Sequence, residues 1–334
     1  MHPILRDAAL RQWGAFTASD VARAGLAPVD VQSALRRREW ARLRRGVYAE
    51  RTVLEDAVRW GDTASHRLQC AAVLLCLGGQ PAVSHASAAR LAGFLVPESD
   101  RVDHVSLTDA QQWRTGRGYA VMRAGLPAHH IRVSGLFRTT GPARTLVDCA
   151  RSWSLEDAVV ALDAALHSEA VTGAELRTAV LEQTHWSGIG AAARAVGLAD
   201  GRAESPLETI GRLRILGSGL PVPELQVDLH GPRGFVGRVD AWWQDAAVAV
   251  EFDGLVKYTD PFGNRSPAQV LWEEKRREDD LRDLGVRLLR IVHADLGDAW
   301  PGKAERLSSL LATRSPTAPR VRAVPAQRRR RPTT

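Results

Sequence analysis

Three acids in the C-terminal third stand where two strands would bring them together. In Ala246–Phe252, read as a strand, Val248, Val250 and Phe252 face one way, so Glu251 and the following Asp253 face the other. Asp240 interrupts the apolar and aromatic run Phe235–Trp243, which reads as the strand before it. With a four-residue loop at Gln244–Ala247, Trp243 pairs with Val248 and Asp240 lies opposite Glu251. Three carboxylates are then expected to converge on one face near the end of a hairpin. Such acids repel and raise one another's pKa, so a divalent cation is the natural counter-charge. Oxygen ligands select Mg²⁺ or Mn²⁺ over zinc. A metal held there can activate water and stabilise charge in phosphodiester displacement. The competing reading of Asp240 and Glu251 is plain surface acids on a two-stranded edge.

The elements that would position these acids can be read around them. Ser205-Pro206 with Glu208 opens a helix to about Leu216, and Leu225–Leu229 reads as a first strand. Pro267–Leu284 is a long charged helix stopped by Gly285, and Val286–Val292 is a fourth strand. The order is α-β-β-β-α-β. A near-match to a nucleotidyltransferase pattern, Gly217-Ser218 followed by Asp228-Leu229-His230, is set aside, because His230 replaces the second acid that chemistry requires.

The segments ESPLET, LPVPELQVDL, GRVDAWW, VAVEFDGLVKY and EEKRREDDLRDLGVRLLRI resemble the Vsr-like branch of the PD-(D/E)XK nucleases, over Glu204 to Ile291. The resemblance implies a restriction-endonuclease-like core. It makes Asp240 and Glu251 metal ligands, Asp253 a further ligand or orienter, Glu208 the helix-borne acid and Gln226 a polar residue near the cleft. It also exposes a departure. The family's E-x-K is E-x-D here, with Asp253 at the lysine position. The chain has three lysines, of which Lys257 and Lys275 lie nearby, and Lys275 on the following helix is the better placed substitute. Against these roles, Ser205-x-x-Glu208 is also a capping box, and Lys275 lies in Glu273-Glu274-Lys275-Arg276-Arg277-Glu278, which makes helix ion pairs in any case.

A second cluster of chemistry lies at the other end. Thr17 with Asp20 predicts a capped helix that stops at Gly25, and Pro28 with Asp30 predicts the start of another. This is a helix-turn-helix pattern. Val31, Ala34 and Leu35 make the inward stripe of the second helix. Gln32, Ser33, Arg36 and Arg37 point elsewhere, and these types read base edges or phosphates. Trp40–Leu43 alternates as a strand, Arg44-Arg45-Gly46 turns and Val47-Tyr48 returns, a wing with Arg42, Arg44 and Arg45 placed to grip a DNA backbone. The alternative is a small protein-binding module with a solvated basic face. FTASDVARAGL followed by VQSALRRREWARLRRGVY resembles the N-terminal winged helix of AbiEi-type antitoxins.

Between these ends the chain is chemically quiet. Helices are expected over Thr63–Leu77, from Ser84-His85 to Leu91, over Pro142–Ala150, and in pieces from Leu155 to about Val196. Strands are expected at Val102–Leu107, Tyr119–Arg123 and Ile131–Phe137. His85 reads as a locally bonded helix-start residue, and Arg144 with Asp148 as an i,i+4 pair on a helix surface. No metal-ligand spacing or nucleophile constellation is evident. The pieces SHASAARLAG and GPARTLVDCA resemble larger actinobacterial relatives of the antitoxin family, which implies a structural or partner-binding domain.

Composition bounds the rest. The 334 residues suffice for two or three cores. Three cysteines in no ligand-like spacing, no signal-peptide pattern and no apolar run long enough to cross a bilayer imply a reducing cytoplasm. The net charge of +7 is matched by seven arginines from Arg314 onward, where there is no acid. That Pro- and Arg-rich tail should be disordered, and could hold phosphates or be merely solvated. Within the body, residues 31–48 carry six arginines against one acid. The expected plan is mixed α/β and multidomain: a winged helix-turn-helix at 1–52, a mixed middle domain at 60–198, an αβββαβ nuclease-like domain at 202–313 and the tail at 314–334. The expected function is binding of duplex DNA with metal-dependent endonuclease chemistry. The alternative is a non-enzymatic transcriptional regulator, or antitoxin-like protein, on a degenerate nuclease fold.

Overall fold

A computed structural model of the chain describes residues 1–78, 81–101, 104–254, 267–313 and 319–326. They fall into two compact units, Met1–Ala199 and Asp200–Thr334, a mixed α/β architecture with several sheets.

The first unit opens with α1 (Pro3–Arg11), β1 (Ala15–Thr17), α2 (Ala18–Arg23) and α3 (Pro28–Arg36), followed by the hairpin β2 (Trp40–Arg44) and β3 (Val47–Glu50). The expected punctuation is in place. Thr17 and Asp20 form a reciprocal capping box, Gly25 turns at φ 75°, and Pro28 opens α3. Val31, Ala34 and Leu35 point inward toward Leu5, Phe16 and Tyr48. The sheet order β1-β3-β2 places the hairpin against the helices, consistent with a winged helix. Helix α1 and strand β1, which the sequence reading omitted, supply Leu5, Ala8 and Phe16 to that core.

The chain continues through α4 (Arg51–Arg59), α5 (Asp62–Leu77), β4 (Ala82–Val83), α6 (His85–Leu91), β5 (Val105–Asp109), β6 (Arg114–Gly116), β7 (Tyr119–Arg123), β8 (Ile131–Ser134) and β9 (Phe137–Thr140). It ends this unit with α7 (Pro142–Ala150), α8 (Leu155–His167), α9 (Gly173–Leu181) and α10 (Ile189–Leu198). The strands form one six-stranded sheet, β6-β7-β5-β4-β9-β8. The single strand expected at Ile131–Phe137 is a hairpin, turned at Gly135 with φ 62°. Ala15, Val47 and Ala49 share one apolar cluster with Leu68, Val73, Leu107 and Phe137. The winged helix therefore buries one core of its own around Phe16 and shares a second with the middle segment.

The second unit runs α11 (Pro206–Gly217), β10 (Glu224–Gly231), β11 (Gly234–Trp243), β12 (Val248–Asp253), α12 (Pro267–Asp283), β13 (Arg287–Val292), α13 (Trp300–Ala312) and β14 (Arg322–Pro325). Its sheet order is β13-β12-β11-β10-β14, antiparallel except for the β12–β13 pair, whose crossover contains α12. Val248, Val250 and Phe252 pack with Ile215 of α11, while Ala249 joins Leu281 of α12 on the other face. Part of the tail expected to be disordered is instead ordered. Arg322–Pro325 pairs with Val227–His230, because the edge of β10 offers unpaired backbone groups that an extended segment can satisfy. Among the described residues no helix is long and apolar enough to cross a membrane.

Candidate functional site

The β11–β12 register is the one the sequence implies, with Trp243 opposite Val248 and Ala241 opposite Val250. The ladder stops there. Asp240 uses its carboxylate in place of a strand bond, accepting the Phe252 N–H at 2.7 Å on Oδ2. Its Oδ1 accepts from Gln226 Nε2 at 3.1 Å, and the same Nε2 donates to Glu208 Oε2 at 2.9 Å. Gln226 sits at φ 50°, a left-handed conformation that costs a non-glycine residue about 1 kcal/mol. That backbone accompanies a side chain inserted between two acids. Glu208 also takes the Ser205 hydroxyl at 2.8 Å and the Glu204 N–H at 2.8 Å, so its capping role is real as well. Burial, and then the neighbouring Asp240, push its carboxyl up to about 7.

Glu251 and Asp253 belong to a different group. Arg277 Nη1 of α12 donates to Glu251 Oε1 at 2.5 Å. Arg290, opposite Glu251 in the β12–β13 register, reaches Glu251 at 3.8 Å, Asp253 at 3.6 Å and Glu278 at 3.4 Å. Both acids are 8% exposed, and guanidinium charge already lies against them. Asp240, expected to converge with Glu251 and Asp253, is bonded instead to Gln226 and the Phe252 N–H, while the other two acids lie against arginines. On the side of Glu251 that faces α12, Arg277 stands where a Mg²⁺ or Mn²⁺ ion would take its oxygens.

The lysine substitution is corrected too. Lys275 is exposed, and the cations that reach the acids are Arg277 from the helix and Arg290 from β13. The signal for this lay in the helix period. Counting back from the buried Leu281 by four, three and seven residues gives Arg277, Glu278 and Glu274, so Lys275 falls off the inward stripe. Lys257 lies outside the described residues. The rejected pair Asp228 and His230 has a structural use, for Arg238 bonds Asp228 at 2.8 Å across the hairpin.

At the basic end, Gln32, Arg36, Arg37, Arg42 and Arg45 are exposed and Ser33 is half-buried. Arg37 bridges Glu39 at 3.2 Å, and Arg42 lies 6.0 Å above the Tyr48 ring. Arg44 is anchored more firmly. It donates to the Arg117 carbonyl at 2.9 Å and stands 5.8 Å from the Tyr119 ring, which ties the wing to the six-stranded sheet.

Two features of the middle segment went unread. Arg144 and Asp148 are not a surface pair but a buried one, joined at 2.7 Å with both side chains at most 1% exposed. Arg144 also donates to the Gly125 carbonyl at 3.0 Å and stacks 4.6 Å from Trp186. A regular i,i+4 spacing cannot show which helix face is inward when every residue from Arg144 to Ala150 is buried. The other feature is His129, His130 and Glu182, whose ligand atoms lie within 4.8 Å of one another. His130 Nδ1 lies 3.2 Å from Arg144 Nη1, so it accepts, and Nε2 keeps the proton it gives to Glu182 at 2.5 Å. With Nε2 of His129 at 3.0 Å from Glu182 as well, the two histidines and Glu182 form one hydrogen-bonded cluster. His85 is locally bonded as expected, with Nδ1 2.9 Å from Ser84 Oγ, and burial lowers its pKa.

Residues 3–51 match the family model described as "Transcriptional regulator, AbiEi antitoxin", and residues 71–198 match "AbiEi antitoxin C-terminal domain". Two proteins of Mycobacterium tuberculosis strains, "Uncharacterized protein MT2308" and "Uncharacterized protein Rv2248", are each 36% identical over 228 residues, covering 68% of this chain and 79% of theirs. With those matches across both halves of its first unit and that identity to the mycobacterial proteins, the chain belongs with them to one family, and it carries the domains of AbiEi antitoxins.

Proposed function

We propose that this protein is a DNA-binding regulator of the AbiEi antitoxin type. Its C-terminal unit keeps the αβββαβ frame of a PD-(D/E)XK core as a scaffold and does not cut DNA. The observation that carries the second half is the 2.5 Å bond from Arg277 to Glu251, which supplies internally the positive charge that a nuclease of this kind takes from a metal. The first half is supported by the family match over residues 3–51 and by Arg36 and Arg45 on the exposed face of α3 and the tip of the wing. The expected result is a gel shift of duplex DNA that falls steeply with salt, with intact DNA after incubation in Mg²⁺, Mn²⁺ or chelator alike.

Metal-dependent hydrolysis is the second reading. What favours it is the Glu208–Asp240 couple, two acids bridged only by a neutral amide, with Glu208 pushed up to about 7. Metal-dependent cutting that Asp240→Ala and Glu251→Ala both abolish, while still shifting DNA, would establish it and end the scaffold reading.

A further inference from the structure

A cavity of about 840 Å³ in the first unit lies beside the helix-turn-helix rather than on it. Its walls come from the end of α1 and the turn after it (Leu10, Trp13), from α4 and α5 (Trp60, Arg67), and from β8 (Arg132, Ser134). Three properties define what fits. The volume lies in the range of sites for single small molecules. The walls are mostly aliphatic and aromatic, with Trp13 fixed by a 3.3 Å bond from its Nε1 to Ser134 Oγ and Trp60 left 79% exposed at the rim. The charges in the lining are Arg67 and Arg132, with no Asp or Glu among the lining residues. Arg67 is held in place, its guanidinium 5.3 Å from the Trp13 ring. An apolar slot whose only formal charges are two guanidiniums is complementary to a flat apolar body bearing one anionic group.

We propose that this cavity binds a small amphipathic anion, an aromatic or short aliphatic carboxylate, with the body against Trp13 and Trp60 and the carboxylate toward Arg67 and Arg132. Trp13 and Gly14 lead directly into β1, which pairs with β3 of the wing. Gly14 stands at φ 93°, and a Cβ there would meet Val53 Cγ1 at 2.8 Å, so this segment has little room to move independently of α4. A ligand in the slot thus presses on the segment that seats the wing, and occupancy changes DNA affinity. That coupling rests on the DNA-binding reading; the binding itself does not.

The test uses the full chain and 1-naphthoate as probe, with 1-naphthalenemethanol as its neutral counterpart, in titration calorimetry. One naphthoate per chain is expected, bound about tenfold more tightly than the alcohol, the worth of one charge-assisted contact. Arg67→Ala and Arg132→Ala should each weaken that preference, lowering the acid's affinity more than the alcohol's, and the double variant should remove it. Thr63→Phe, on an exposed position of the lining, should block both probes while leaving the melting temperature unchanged. Equal affinity for acid and alcohol, no heat up to about 1 mM naphthoate, or binding indifferent to Thr63→Phe would overturn the proposal. So would a concentration-dependent dimer in sedimentation that Leu10→Glu and Trp60→Glu dissolve, which would assign the face to a second copy. If naphthoate binds as described but leaves the gel shift unaltered, the site stands and the coupling falls. If no DNA is shifted at all, the DNA-binding reading fails and the calorimetry remains.

Discussion

At the scale of single residues, the acids of the second unit separate into Glu251 and Asp253, met by arginine, and Glu208 and Asp240, joined through Gln226. Removing Arg277 should leave Glu251, which is almost enclosed, to the longer 3.8 Å approach of Arg290, and Arg277→Met is expected to cost about 3 kcal/mol in a urea melt. Glu251→Gln with Arg277→Met should recover most of that loss. A double variant as unstable as the single one would show that Arg277 acts through packing against Gly237 rather than through charge. Glu208 makes a prediction of opposite sign. Its folded pKa is raised to about 7 from an ordinary 4.5, so the fold favours the protonated acid. The stabilising contribution is full below pH 4.5 and is lost as pH rises through 7. The melting temperature should therefore decline more between pH 5 and pH 8 in the parent than in Glu208→Gln, and parallel curves would refute the burial of that carboxyl. The acids themselves were legible in the sequence, because Asp240, Glu251 and Asp253 break apolar strands. Their partners were not, because Arg277 and Arg290 look like any other arginines until the helix and strand that carry them are packed against the sheet.

At the scale of elements, punctuation was more informative than composition. Thr17, Gly25, Pro28 and Gly46 each fix a backbone conformation locally, so the helix-turn-helix and wing could be placed almost residue by residue. Strand β1 and the β8–β9 hairpin were missed because three- and four-residue strands carry too little alternation to register, and their stability comes from neighbours in the sheet. If α3 and the wing hold DNA, Arg36→Ala should reduce the slope of log affinity against log salt by about one unit. Arg44→Ala should behave differently. Its guanidinium is committed to Arg117 and Tyr119, so it should lower the melting temperature more than it changes the salt slope. Equal salt effects from both arginines would mean that the wing rests on the sheet less firmly than those contacts imply.

At the scale of the whole molecule, the boundary that matters lies near residue 200 and not near residue 52. Ala15, Val47 and Ala49 complete their burial only against residues of the middle segment, so a fragment of residues 1–52 would expose a wall of its own core. We expect fragment 1–52 to show no cooperative melt and fragment 1–199 to show one, with circular dichroism as the measure. The strand at Arg322–Pro325 has a further consequence for handling and for regulation. It seals one flank of the second sheet in the way a hem closes a cut edge of cloth. Proteolysis or truncation that frees this segment would leave the ladder of β10 open along Val227–His230 and ready to accept a strand from another molecule. Loss of about twenty residues from the tail should thus promote self-association through the sheet edge, measured by sedimentation against the full chain, a change out of proportion to the few contacts removed.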